Sequence, residues 1–146
     1  MPSPNPGGSY PYHELDGVAA VSSTDAWAVG FSAPNMQFRR ARTIIEHWNG
    51  SSWTTVPSPN PGGSSGFSAL YGVSAVSSTD VWAVGYYAHN GSRPLVLHWN
   101  GARWARVASR SPSFAILDGV AAISSTKALA VGGTPNGLST FTVHCC

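Results

Sequence analysis

The stretch SSTDAWAVG, Ser22 to Gly30, returns as SSTDVWAVG at Ser77 to Gly85 and as the altered copy SSTKALAVG at Ser124 to Gly132. A nine-residue phrase written three times in 146 residues is an internal repeat, and a repeat sets the architecture before any single residue does. Upstream, Gly17, Gly72 and Gly119 open GVAAVSSTD, GVSAVSSTD and GVAAISSTK, at spacings of 55 and 47 residues. Downstream, IIEHWNGSSWTTVPSP from Ile44 is matched by LVLHWNGARWARVASR from Leu95. The third copy runs to FTVHCC, where His144 aligns with His47 and His98.

Spacings of about 40 to 50 residues belong to propeller blades. Each copy divides into four short apolar runs separated by turn signals, in the first copy about 15–21, 26–31, 43–48 and 53–56. We label these strands A to D. No window shows a helical period, and β-branched and aromatic residues fill the runs. SSTD reads as a tight A–B turn in which Ser, Thr and Asp bond nearby backbone groups. In AWAVG, Trp27 and Val29 point to one face while Ala26, Ala28 and Gly30 point to the other. Strand C carries Ile44 and Ile45 on opposite faces, the pattern of a sheet covered on both sides. Asn-Gly in WNGSSW and WNGARW supplies positive-φ positions for the C–D turn.

Composition agrees. Hydrophobic residues are 42% and charged residues 10%, too apolar for a disordered chain. A net charge of +2 creates no field for nucleic acid. No apolar run reaches the roughly 18 residues of a membrane span, and no basic-then-apolar signal peptide opens the chain. The only cysteines are the adjacent Cys145 and Cys146, so no internal disulfide is expected.

The fold expected is all-β: one domain over residues 1–146 forming a partial β-propeller of about three four-stranded antiparallel blades. Blade 1 spans about 15–57, blade 2 about 70–108 and blade 3 about 117–144, the last without its strand D. Three blades are fewer than the four to eight or so that close a ring. The expectation is therefore a piece of a longer propeller, or copies that close a ring together.

The pattern resembles the kelch-type repeat, in which strand B ends in glycine and an aromatic on strand C precedes a Trp on strand D. Here strand B ends at Gly30, Gly85 and Gly132, and Trp48 precedes Trp53 as Trp99 precedes Trp104. The phrases DVWAVG, HWNGSSW and PSPNPG look most like those of bacterial secreted kelch-like proteins. The chain departs from the family where the double glycine occurs once, at Gly132–Gly133, and where blade 3 has Leu129 and Cys145 in place of Trp. The resemblance implies an extracellular or cell-surface location. Copper oxidases built on a similar propeller need a tyrosine–cysteine pair and metal histidines, and here the cysteines lie only at the chain's end. No enzyme, no cofactor and no metal are expected.

Trp27, Trp82, Trp48, Trp99, Trp53 and Trp104 recur at fixed strand positions and read as inter-blade core rather than a sugar-stacking platform. His47, His98 and His144 lie a blade apart, too far to share a metal, and read as bonding a neighbouring turn or backbone. Asp25 and Asp80 read as turn caps. Asp16 and Asp118 align with Tyr71, which argues against a paired-carboxylate site. The B–C connection varies most between copies, and variable loops of repeat proteins gather on the binding face. It carries Phe38, Arg39, Arg40 and Arg42 in blade 1 and Tyr86, Tyr87, His89 and Arg93 in blade 2, our candidate ligand residues. The arginines suit an anionic or glycan partner. The expected function is a non-catalytic module binding protein or carbohydrate through one face. The alternatives are a self-assembling ring-closing repeat and the non-catalytic propeller portion of a larger secreted enzyme.

Overall fold

A computed structural model describes residues 3–4, 10–109, 114–134, 136–137 and 139–145. Most of the opening PSPNPGGS phrase and Cys146 lie outside the described residues. Blade 1 is a four-stranded antiparallel sheet of β1 (Tyr12–Ser22), β2 (Asp25–Ala33), β3 (Arg42–Trp48) and β4 (Trp53–Thr55). Blade 2 repeats it with β5 (Phe67–Ser77), β6 (Asp80–Ala88), β7 (Ser92–Trp99) and β8 (Trp104–Arg106). Blade 3 has β9 (Ile116–Ser124), β10 (Lys127–Gly133) and β11 (Thr140–Cys145), three strands among the described residues. Strand A of each blade lies beside strand A of the next, β1 by β5 and β5 by β9, so the A strands are innermost.

The blades are joined by apolar packing between facing sheets. Trp27, Val29 and Ile45 of blade 1 pack on Leu70, Val81, Ala83, Leu95, Leu97 and Trp104 of blade 2. Trp82, Val84 and Val96 of blade 2 repeat the contact on Leu117, Ala128 and Ala130 of blade 3. Burying one such indole removes about 150–250 Å² from water, worth roughly 4–6 kcal/mol by area. The small residues opposite each Trp make room for it. Trp27 and Trp104 meet edge to face at 5.4 Å between ring centroids, and Trp27 and Trp99 at 5.1 Å. Trp48 and Trp53 pair with each other at 5.7 Å on the face of blade 1 turned away from blade 2, and their blade 2 counterparts Trp99 and Trp104 pack in the seam.

Strand A is not a regular ladder. Leu15 pairs with Gly30 and Gly17 with Val29, which leaves Asp16 as an extra, unpaired residue. Tyr71 and Asp118 are the bulged residues of blades 2 and 3. Each bulge drives a strand A carbonyl onto strand B. A Cβ at Gly30, Gly85 or Gly132 would collide with the carbonyl of Glu14, Ala69 or Ile116. That, and not a strand end, is why glycine stands there: β2 continues to Ala33 and β6 to Ala88. A second bulge leaves Val21, Val76 and Ile123 unpaired near the A–B turn, each exposed.

Three further details correct the sequence reading. The A–B turn is capped by serine, with Thr24 N–H donating to Ser22 Oγ at 3.2 Å and Thr79 N–H to Ser77 Oγ at 3.4 Å. Asp25 and Asp80 instead accept from His47 Nε2 at 2.8 Å and His98 Nε2 at 2.7 Å. These pairs hold each imidazole against Trp27 or Trp82, with centroids 4.4 and 4.3 Å apart. In the C–D loops only Gly50 and Gly101 have positive φ, while the Asn49 and Asn100 side chains accept loop amides. The D–A crossover turns at residues 61–65 rather than running as an extended polyproline segment.

Gly85→Ala places a methyl group against the Ala69 carbonyl and Leu70 Cα, and urea denaturation should show a loss of at least about 2 kcal/mol. A loss near zero would mean that the bulge does not fix the spacing. Trp82 Nε1 donates to the Ser124 carbonyl at 3.1 Å, whereas Trp27 Nε1 is buried with no partner among the described residues. Trp82→Phe should therefore destabilise more than Trp27→Phe by about 1 kcal/mol in the same assay.

Candidate functional site

The bulges place three equivalent residues, Asp16, Tyr71 and Asp118, on adjoining inner strands. A bulged residue has no ladder partner, so its side chain is aimed by the local twist rather than by the pleat. Beside them the ends of strands B and the first B–C loop bring in aromatic rings. Glu14, Asp16, Phe31, Phe38, Phe67, Tyr71 and Tyr86 enclose a cleft of about 310 Å³. Phe31 also belongs to a buried cluster with Ala33, Ala41 and Ala69, onto which Tyr12, Phe67 and Tyr71 pack. The site draws on both blades.

The rings are tied together. Phe67 stacks on Tyr86 at 4.7 Å, and Tyr71 lies near-parallel to Tyr86 at 6.0 Å. Phe38 meets Phe31 edge-on at 5.5 Å and Tyr12 at 6.3 Å. A positive φ of 51° at Phe38 turns its ring back toward the cleft, and Arg40, at 65°, continues the reversal. Ser68 N–H donates to the Ala41 carbonyl at 2.9 Å and fastens this loop to blade 2.

The electrostatics are acidic. Burial pushes the Asp16 carboxyl up to about 6, helped by the charge of Glu14 and a hydrogen bond to it. Burial also raises the Tyr71 hydroxyl, followed by its contact with Tyr86 and the charges of Asp16 and Asp118. Burial raises Tyr86 as well, opposed by the hydrogen bond from Tyr71. Both phenols thus stay neutral, with Tyr71 as donor. Elsewhere, Asp25 is held below its ordinary range: burial opposes this, but hydrogen bonds from Ser78 and His47 prevail. The Ser78 contact joins blade 1 to the turn of blade 2.

The candidate ligand residues divide. Phe38 and Tyr86 line the cleft. Tyr87 and Arg93 lie in a separate lateral cleft of about 230 Å³ with Arg106, whose guanidinium sits 5.7 Å from the Tyr87 ring centre. Arg42 faces another depression beside Tyr10 and Thr43. Arg39, Arg40 and His89 are exposed in loops. Glu14, Asp16, Phe31, Phe67 and Tyr71 were not among the candidates. The available signal was the residue before Gly17, Gly72 and Gly119, which changes from Asp to Tyr to Asp while its surroundings repeat. Among the described residues no group of three or more His, Cys, Asp and Glu side chains could hold a metal ion. No helix among the described residues is long and apolar enough to cross a membrane.

Sheets of this kind, stacked through their faces around inner A strands, define an all-β, partial propeller. Comparison with solved structures matches the chain to a β-propeller protein, YCF48, in a structure described as YCF48 bound to D1 peptide. The match has a TM-score of 0.58 at 14% identity and covers 98% of this chain but 39% of that one. No family model and no curated protein matches the chain.

Asp16 also predicts a pH effect. Its folded-state value lies above the ordinary one near 4, so its contribution to stability is complete below about pH 4 and is lost as pH rises through about 6. Asp16→Asn should remove this fall. The urea midpoint of the variant, relative to the native chain, should rise between pH 4 and pH 8. A difference that stays flat across this range would contradict the acidic environment described.

Proposed function

We propose that the chain is a non-catalytic recognition module that binds a protein partner at the face where the B–C loops meet the starts of the inner strands. The observation that carries this reading is the cleft itself: a concave, aromatic-walled surface built jointly by two blades. Pockets that combine apolar walls with a few convergent polar groups are the usual form of a binding site. The rings of Phe67 and Tyr86 cover each other, which leaves less open ring face for stacking a sugar and favours a peptide over a glycan. The structure of YCF48 with a peptide supports the same choice by analogy of fold. In this reading the blades are of the kelch-like type, the location is extracellular or cell-surface, and neither cofactor nor metal takes part.

A second reading, a module that closes a ring with another copy, is favoured by the outward faces of blades 1 and 3. Val18 is 70% exposed and Val131 51%, at positions whose counterparts in blade 2 pack on a neighbour. Blade 1 nevertheless carries Glu46 on that face where blade 2 has Leu97, which makes the face a poorer seat for an apolar sheet.

Selection of random displayed peptides on the immobilised chain tests the first reading. Selected peptides should lose at least about tenfold in affinity on Tyr86→Ala and less than about twofold on Lys127→Ala, a change remote from the cleft. Binders indifferent to Tyr86→Ala would overturn it, as would ligands found only on a glycan array. A solution mass of two copies by light scattering, with no peptide bound, would favour the second reading.

A further inference from the structure

Resting on that recognition role, we infer that the cleft receives one cationic side chain, an arginine or a lysine, presented by the partner protein. The feature is a walled cleft and not an acidic patch: the rings of Phe31, Phe38, Phe67 and Tyr86 line it together with the carboxylates of Glu14 and Asp16. Aromatic faces and edges around a long aliphatic stem, with an acid at the tip, are complementary to the two halves of such a side chain. A guanidinium or ammonium within about 6 Å of a ring gains from the ring's negative face, and gains more where water is thinned.

The charges around the cleft are unbalanced in the same sense. Glu14 and Asp16 come from β1, Asp118 from β9, and neutral Tyr71 and Tyr86 from β5 and β6. The ion pairs among the described residues are His47–Asp25 and His98–Asp80, so none of these three carboxylates has an internal cation. The loop that bears Phe38 also bears Arg39 and Arg40, both exposed. Asp16 is solvent-exposed at the cleft mouth yet its carboxyl is raised by partial desolvation and the neighbouring Glu14, and an entering cation offsets both. An anionic ligand would add like charge beside Glu14 and Asp16, and a purely apolar one would strip water from these carboxylates without pairing them.

The test uses the whole chain and three end-blocked alanine pentapeptides whose central residue is arginine, glutamate or norleucine, followed by amide NMR at millimolar peptide. The arginine peptide should shift Asp16, Tyr71 and Tyr86. It should bind about tenfold more weakly at pH 5 than at pH 8, because Asp16 is then mostly protonated. Asp16→Asn should flatten that pH profile while leaving the amide spectrum dispersed. Phe67→Leu, which keeps the lining apolar, should weaken binding at both pH values. Equal binding of all three peptides, or preference for glutamate, overturns the cationic assignment and leaves the recognition site standing. Arginine binding that ignores Asp16→Asn overturns it too. If neither these peptides nor any selected peptide touches the cleft, both readings fail.

Discussion

In every blade a strand A carbonyl occupies the space that a Cβ on strand B would need. The carbonyls of Glu14, Ala69 and Ile116 press on Gly30, Gly85 and Gly132, and the bulges at Asp16, Tyr71 and Asp118 put them there. Much of the molecule depends on this contact. It lets strand B run past the glycine toward the B–C loop, it frees one inner-strand residue per blade from ladder pairing, and it sends those freed residues to a common region. A scaffold constraint and the proposed binding surface thus have one origin.

A second constraint sets the spacing between blades. Cβ atoms at Gly17 and Gly72 would meet the Tyr71 carbonyl at 2.8 Å and the Asp118 carbonyl at 2.9 Å, backbone of the next inner strand. Inner strands can sit this close only without side chains. Farther out, the gap widens and indoles fill it, Trp27 in one seam and Trp82 in the other. The seams are not equal. The second has a hydrogen bond from Trp82 to Ser124 and another from Ala122 N–H to Ser74 Oγ at 3.0 Å. The first has the Asp25–Ser78 contact and the larger aromatic cluster.

Blade 3 shows what the Asp–His–Trp unit does by losing it. Lys127 and Leu129 replace the acid and the indole, and His144 remains, exposed. Its strand still pairs in register with β10. The unit therefore does not create the sheet. In blades 1 and 2 it fixes the imidazole against the indole, on the face that the next blade covers.

The amino-acid sequence alone determined the repeat, the strand order within each blade, the serine-rich A–B turn and the tryptophans of the seams. All of these are local: a phrase that recurs must recur as one supersecondary unit, and an alternating apolar run has few ways to be a covered strand. Tertiary structure decided the rest. A bulge is invisible to a period of two, because one extra residue shifts the pattern without changing its composition, and so Asp16 and Tyr71 looked like interruptions. His47 and Asp25 stand on different strands, and nothing in their separation shows that they meet. The cleft joins residues from Glu14 to Tyr86, which only the stacking of one blade on the next brings together. That stacking also split the candidates, bringing Phe38 and Tyr86 to one cleft and leaving Arg39 and Arg40 in water.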